Sequence, residues 1–339
     1  MAHLRLLGNH RTTEEERRVI PPPPVNVGLL GCGTVGSAVA RKLLDDPALV
    51  ERAAGAPVRL TRIAVRDPAR PRRVRLPPGI LTSDALAVAC DLDVDVVVEA
   101  IGGTDPARDL VEAAVGDGKS VVTANKELIA THGPRLLAAA EAKGVDLFFE
   151  AAVCGAIPIV RSLRDALPAT RLRRITGIVN GTANFVLTRM AEHGATFDDA
   201  LHEARVRGYA EADPAADVTG RDAAAKAVVL ATLVTGSAPV VTRVGGIDAA
   251  TGAGPHTKLV AEIDLTARPP CVEVGLRDLP PGHPLAAVTG ADNALLVETA
   301  DGQELFFRGP GAGGEATAVA VLGDVVQAAR QRAVRPVCA

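Results

Sequence analysis

The sequence predicts an α/β fold, a doubly wound parallel sheet joined to a second α/β unit built on a mixed sheet. Three observations carry that expectation. Short apolar runs alternate with segments of helical period from Val25 to Glu150. A glycine-rich turn, GCGTVG, stands between the first apolar run and the first helical segment. After Glu150 the alternation stops, and four strand-like runs close the chain after a group of helices. With 339 residues, the chain is long enough for two domains, each with its own core.

The elements follow in order. Residues 1–24 read as a flexible tail that ends in the stiff run Pro21 to Pro24. Val25 to Leu30 is a buried strand feeding Gly31 to Gly36, after which Val35, Val39 and Leu43 recur at helical spacing. In that context GxGxxG is the fingerprint of a Rossmann-type dinucleotide site. Gly31 permits the tight turn, Gly33 lets the backbone approach a pyrophosphate, and Gly36 allows close helix packing. The amides of Thr34 and Val35, at the helix start, then face the phosphates. The next strand, Val58 to Val65, ends at Arg66, with Asp67, Arg70, Arg72 and Arg73 following. Arginine at this place suits a 2′-phosphate and favours NADP, while Asp67 keeps NAD open.

Asp95 to Ile101 is a strand broken by Gly102 and Gly103, and Pro106 opens a helix through Val115. Val121 to Thr123 is a further strand leading to Asn125 and Lys126; Arg135 to Lys143 is a helix closed by Gly144, and Leu147 to Glu150 a strand. Ligands in such sheets bind beyond the strand C-termini, so Gly102, Gly103 and Lys126 are expected to line the cleft. Pro158 then opens a helix to Ala166, Ile175 to Val179 is a strand, and Asn180-Gly181-Thr182 leads into a helix through Met190. Thr196 and Asp199 form an N-cap and N3 pair for a helix ending near Gly208. Lys258 to Leu265, Cys271 to Leu276, Ala294 to Thr299 and Glu304 to Arg308 read as strands of the mixed sheet. GPGAGG, at 309–314, precedes a closing helix from about Thr317 to Arg330 that is expected to return to the first domain.

The stretch with the densest chemistry is GYAEADPAADVTGRDAAAK, from Gly208 to Lys226. Glu211, Asp213, Asp217 and Asp222 lie in it with Lys226, and Pro214 and Gly220 keep most of it irregular. Asp222 and Lys226 are four apart at the start of an apolar helix, where a carboxylate holds an ammonium on one face.

Composition narrows the partners. A formal charge of −3 and 2% aromatics argue against nucleic acid or an anionic membrane surface as partner. No window approaches membrane-spanning length, and the N-terminus lacks the apolar core of a signal peptide. Five scattered cysteines (Cys32, Cys90, Cys154, Cys271, Cys338) match neither a zinc site nor a disulfide framework and suit the cytoplasm. His202, His256 and His283 show no ligand spacing and read as structural.

The motifs GCGTVG, EAIGGTDPA, GKSVVTANKELIA, AIPIVRSLRDAL, GIVNGTANF and GYAEADPAADVTGRDAAAK, in this order, resemble those of the homoserine dehydrogenases over roughly residues 25–335. The resemblance implies an NAD(P)-dependent oxidoreductase that interconverts L-homoserine and L-aspartate 4-semialdehyde in threonine, methionine and isoleucine biosynthesis. It assigns residues 25–150 to dinucleotide binding, completed by the closing helix within 310–335. It assigns 151–309 to substrate binding, catalysis and homodimer formation. By matching motif, Lys226 resembles the general acid/base, with Lys126 beside it at the reacting oxygen and Asp222 orienting Lys226. Glu211 resembles the residue that binds the substrate amine, and Asp217 and Asp222 complete the acidic wall. Ile101 and Gly313 join the expected cofactor contacts. A sodium-like cation is implied at the backbone carbonyls of Glu150, Val153, Gly155 and Ile157.

Burial or Lys126 is expected to lower Lys226 from a free value of ~10.4 so that it can serve as a base, with Asp222 pulling the other way. The chain departs from the family at Cys154-Gly155-Ala156, where relatives carry more glycine, and there Cys154 reads as a small buried residue. It is also shorter over 245–258, so a helix is expected to be missing there. It stops after the closing helix, so no ACT-type regulatory domain is expected. Two other readings stay open: an NADP-dependent reductase of another amino-acid semialdehyde, and a catalytically silent NADP-binding sensor.

Overall fold

The computed structural model describes residues 22–155, 157–311 and 313–334. The tail expected over residues 1–24 therefore falls largely outside the described residues, as do Ala156 and Cys338. The first half alternates as expected. It runs β1 (Val25–Leu30), α1 (Thr34–Asp45), α2 (Pro47–Ala54), β2 (Val58–Ala64), β3 (Leu81–Thr82), α3 (Ala85–Ala89) and β4 (Val96–Glu99). It continues through α4 (Ala107–Gly116), β5 (Ser120–Thr123), α5 (Lys126–Lys143) and β6 (Leu147–Phe148). The strands form one parallel sheet in the order β3-β2-β1-β4-β5-β6. Strand order reverses between β1 and β4, the topological switch point where this architecture opens a crevice at the strand C-termini. The central strands are Val-rich because both faces are covered: Val96, Val97 and Val98 are all buried.

The second half begins with a 3₁₀ turn at Glu150–Ala152, then α6 (Ile159–Arg161), which continues as a π-helical turn over Ser162–Ala166. There follow β7 (Leu172–Ile178), α7 (Gly181–His193), α8 (Phe197–Val206), α9 (Ala215–Val218) and α10 (Arg221–Thr235). The closing part is β8 (Val240–Val244), β9 (Thr257–Asp264), β10 (Cys271–Asp278), β11 (Asp292–Thr299), β12 (Glu304–Pro310) and α11 (Gly314–Val334). These strands form the expected mixed sheet, in the order β12-β11-β7-β9-β10-β8. Only the β8–β10 pair is parallel. α11 returns to the first sheet and packs on α1, α2, β4 and β5. It also touches the 3₁₀ turn, where the Asp324 carboxylate accepts from the Glu150 N–H at 2.9 Å and pairs with Arg161 at 3.0 Å.

Beyond α2, β3 and α3, for which the sequence pattern carried no expectation, two elements differ from it. The helix expected over Arg135–Lys143 begins at Lys126, with Asn125 as its N-cap, and carries Gly133 and Pro134 inside it. Those two residues read as a break because proline removes a backbone donor and glycine lowers helix propensity. The helix nevertheless runs through both and packs on α10, with the Thr232 methyl 3.5 Å from where a Cβ on Gly133 would stand. Strand β8 was not anticipated, because all five of its residues are exposed and no apolar alternation marks it. Between β8 and β9 the chain forms no helix, as expected for the short 245–258 region. Part of that loop supports α9, since Ile247 donates its N–H to the Val218 carbonyl at 2.7 Å.

Candidate active site

The glycine turn after β1 has the shape its sequence requires. Gly31 adopts φ +95°, and a Cβ there would lie 2.6 Å from the Ala100 carbonyl oxygen. A Cβ on Gly36 would strike the Gly31 carbonyl, so α1 starts directly beneath the turn. Around Gly33 nothing lies within 4 Å of a Cβ position, so the backbone is open toward the crevice. No side chain caps α1, which leaves its first-turn amides, those of Thr34 and Val35 included, without an N-cap acceptor. That is a fit for a pyrophosphate. Gly313 and Gly314 lie at the start of α11, where a Cβ on Gly314 would meet the Thr34 methyl at 2.7 Å. Arg66, just past β2, is exposed. Neighbouring Asp67 accepts from the Ala69 N–H at 3.0 Å, which commits one of its carboxylate oxygens to its own turn.

The acid–lysine stretch meets this crevice from the other half of the chain. Asp222, in the first turn of α10, is 7% exposed and receives three donors. Lys226 Nζ lies 2.7 Å from Oδ2, Lys126 Nζ 3.2 Å from Oδ1, and Asn180 Nδ2 donates to Oδ2 at 2.9 Å. Asn180 also donates to Asp217 at 2.7 Å, while its own oxygen caps α7 by accepting from the Ala183 N–H. One side chain thus joins the start of α7 to α9 and α10. Burial alone would raise the Asp222 carboxyl, but Lys226 and Lys126 outweigh it and hold it below the usual carboxylate range. Asp217 goes the other way: burial raises it, the Asn180 donor opposes, and nearby Asp222 adds to the rise.

The Lys226 ammonium is 12% exposed, against 34% for Lys126. Its second partner is the Val179 carbonyl at 2.8 Å. An ammonium has three donors, so one N–H remains unclaimed among the described residues. The expected lowering of Lys226 is corrected by the structure. Burial is the largest single effect and pulls it down, but Asp222 at 2.7 Å, by charge and hydrogen bond, and smaller contributions from its other anionic neighbours together outweigh it, and the net direction is above the ordinary lysine value. Lys226 is therefore an ammonium at neutral pH.

The remaining expected residues are placed as follows. Glu211 is exposed on the loop before α9 and has no side-chain partner among the described residues. Asp213 accepts from the Ala215 N–H in the turn that precedes α9, whose N-cap is Pro214. Ile101, Gly102 and Gly103 form the turn after β4, which Glu99 and Asn125 hold. Among the described residues no three His, Cys, Asp or Glu are grouped to hold a metal. At the expected carbonyl site the Glu150 oxygen accepts weakly from Val153 N at 3.4 Å, and the Ile157 oxygen from Ile159 N at 2.8 Å. The carbonyls of Val153 and Gly155 accept no backbone hydrogen bond from a described residue. Cys154 is buried at φ +58°, and burial pushes its thiol up to about 12, so it stays protonated and inert.

Sequence reasoning passed over Asn180, Asn125, Glu99 and Asn293. Asn293 is fully buried and donates to the same Val179 carbonyl as Lys226, at 3.2 Å. Asn180 and Asn125 each precede a helix, a signal that identifies a cap but not the carboxylates or carbonyls also bridged.

Comparison with known proteins agrees with this geometry. The family model described as homoserine dehydrogenase matches residues 158–326, and the one described as homoserine dehydrogenase, NAD binding domain, matches 31–150. Homoserine dehydrogenase of Corynebacterium glutamicum is 45% identical over 91% of this chain and 72% of its own length. The crystal structure of a homoserine dehydrogenase from Thiobacillus denitrificans superposes with a TM-score of 0.85 at 39% identity, covering 94% of this chain and 76% of that one. A hyperthermophilic archaeal homoserine dehydrogenase in complex with NADPH superposes at 0.77 with 28% identity, over 90% and 97% of the two chains. With both sheets matched and a buried acid–lysine cluster set against an open glycine turn, the chain belongs to the homoserine dehydrogenase family.

Proposed function

We propose that this chain interconverts L-homoserine and L-aspartate 4-semialdehyde, with Lys226 as the proton donor and acceptor at the substrate oxygen. The observation that carries the reading is the Lys226–Asp222–Lys126 cluster, in which one carboxylate aims two ammonium groups. A bound nicotinamide dinucleotide supplies the hydride in reduction and accepts it in oxidation. In the reductive direction the carbonyl oxygen gains negative charge, and the unclaimed Lys226 N–H delivers a proton to it. Lys126 adds a second positive charge at the same oxygen. Asp222 holds both lysines in place and keeps Lys226 protonated between turnovers. Glu211 and Asp217 present carboxylates to the substrate ammonium, with Glu211 free to turn toward it.

The cofactor in this reading is NADP before NAD. Exposed Arg66 is available to a 2′-phosphate, and Asp67 is engaged with Ala69 N. Gly31, Gly33, Thr34, Val35 and Gly36 would hold the pyrophosphate, and Ile101, Gly102, Gly103, Lys126 and Gly313 would flank the rest. A monovalent cation at the Glu150, Val153, Gly155 and Ile157 carbonyls is supported by the two carbonyls that have no backbone donor among the described residues, and by the buried Oδ1 of Asn293, which has no partner among them and lies against Gly311 beside Gly155. The domain division at about residue 150, a homodimer through the second sheet, and a cytoplasmic site of action complete the reading. No described helix is long and apolar enough to cross a membrane.

Absorbance at 340 nm tests the core of this. Wild-type protein is given L-homoserine with NADP and NAD in turn, in sodium and in choline buffers, with Lys226→Ala beside it. Turnover greater with NADP, greater in sodium, and lost by Lys226→Ala although it still binds cofactor, is the expected result. Wild-type turnover in the variant would remove Lys226 from the mechanism.

A further inference from the structure

We propose that Glu99 is a positioning residue that locks the cofactor-facing turn after β4 to the start of the helix carrying Lys126. The proposal rests on the assignment of that turn and Lys126 to the reacting end of the cleft. Glu99 ends β4, is 0% exposed, and has no ion-pair partner among the described residues. A carboxylate in that position is costly unless both oxygens are hydrogen-bonded. Here dipoles alone satisfy it. Oε1 accepts the N–H of Ile101 at 2.7 Å and of Gly102 at 3.2 Å, and Oε2 accepts the hydroxyl of Thr123 at 2.5 Å.

The chain of contacts continues without a gap. Thr123 Oγ1 accepts the Asn125 N–H at 3.0 Å, and Asn125 Nδ2 donates to the Gly103 carbonyl at 2.6 Å. Asn125 Oδ1 caps α5 by accepting from Leu128 N at 3.0 Å. The next residue, Lys126, reaches Asp222. The turn 101–103 and the first turn of α5 are thus tied twice, once through Glu99 and Thr123, once through Asn125. Glycines at 102 and 103 would otherwise leave the turn free to change shape, and β5 and α5 free to shift against it. A bare loop support would need one of these links; the closed circuit fixes the loop relative to the lysine. Its effect is to keep the hydride path and the substrate oxygen in one geometry.

The test uses the full chain with homoserine and NADP. Glu99→Gln keeps the volume and loses one acceptor oxygen; Thr123→Val removes only the hydroxyl. Each is expected to lower kcat roughly tenfold, as a misplaced reacting pair does, while the Kd for NADPH, set largely by the glycine turn after β1, moves by less than about threefold. The double variant should be no slower than the slower single one, because both cut the same circuit. Thr123→Ser should restore kcat. Wild-type kcat in both single variants, multiplicative losses in the double, or a Thr123→Ser no better than Thr123→Val would each overturn the proposal. If Glu99→Gln does not fold, the Thr123 pair decides alone. Lys126→Ala, assayed in parallel, separates the two levels. Full turnover there overturns the reading of the cleft itself, whereas its loss beside an unaffected Glu99→Gln overturns only the positioning role.

Discussion

Asp222 is the residue on which the site's charge balance turns. It is nearly enclosed, yet its carboxyl is held low because two ammonium groups and an amide donate to it. Lys226 is the mirror case: burial is the largest effect and pulls it down, but Asp222 at 2.7 Å and its other anionic neighbours together raise it. The two shifts have definite consequences for stability. A depressed carboxyl contributes above its unfolded value of ~3.9 and loses that contribution as pH falls through the folded value. A raised lysine contributes below ~10.4 and loses it as pH rises through the folded value. The pair therefore stabilises the fold across the whole neutral range. Catalysis inherits the same dependence. In the reductive direction the rate should hold while Lys226 is protonated and fall on the alkaline side. Asp222→Asn removes the charge that raises Lys226 and leaves burial to lower it. The alkaline limb of the kcat profile should then move to lower pH, with kcat reduced on the order of a hundredfold. An alkaline limb that stays in place in Asp222→Asn would mean that Lys226 is not the proton donor.

At the scale of elements, the site is assembled by helix starts, each brought in by a cap. Asn125 starts α5, Asn180 starts α7, and the left-handed Gly220 turn starts α10, each next to a group the chemistry uses. Asn180 has two roles that substitution can separate. Asn180→Ala loses the cap and should cost about 1 kcal/mol of stability in a urea titration. It also leaves Asp217 and Asp222 without their shared donor, so the KM for homoserine should rise. Asn180→Asp keeps a capping oxygen but buries a third carboxylate against the other two, so it should cost more stability than Asn180→Ala and damage KM more. Equal KM effects from the two would show that the bridge to Asp217 and Asp222 is incidental. How much of this was legible in the sequence follows from its physical origin. The β1 turn was legible because its requirements are local: a tight turn, an open backbone and a helix start each demand glycine at one position. The pairing of Asp222 with Lys226 was legible because helical spacing alone sets it. The start of α5 was not, because Gly133 and Pro134 weaken the local helical signal, while the packing of α5 on α10 comes from across the fold. Nor could spacing show that Asn180 meets carboxylates 37 and 42 residues away, or that Lys226 ends up raised rather than lowered.

At the scale of the whole molecule, the second sheet has one face against α7 and α10 and the other covered only in part, where Leu285 and Val288 at the 3₁₀ turn Pro284–Ala287 pack on Ile178 and Ala294. α7 and α10 pack on β9, with α10 also on β10 and α7 on β11, and the Leu305 and Phe307 side chains of β12 point to that covered core. Alternation along β12 sends Glu304, Phe306 and Arg308 to the opposite face. Register then sets Phe306 beside Leu296, and Glu298 between Glu304 and Arg174. Arg174 pairs with both Glu262 and Glu298, so the face mixes an apolar centre with paired charges. An aromatic ring that is 44% exposed suits a protein contact, and the homodimer proposed above would use it. A two-fold pairing of this face with its twin would bury Phe306 on both sides and leave the ion pairs at the rim. Phe306→Asp places a charge at that centre, against another charge from the partner. Sedimentation equilibrium should then report a dimer for the wild type and a monomer for the variant. Circular dichroism should be unchanged, because Phe306 contributes little to its own core. A variant that remains dimeric would move the interface elsewhere, first to the edge at β8, where Val240, Val241 and Val244 are also exposed. A wild type that is already monomeric would leave the open face to another partner and remove the homodimer from the reading altogether.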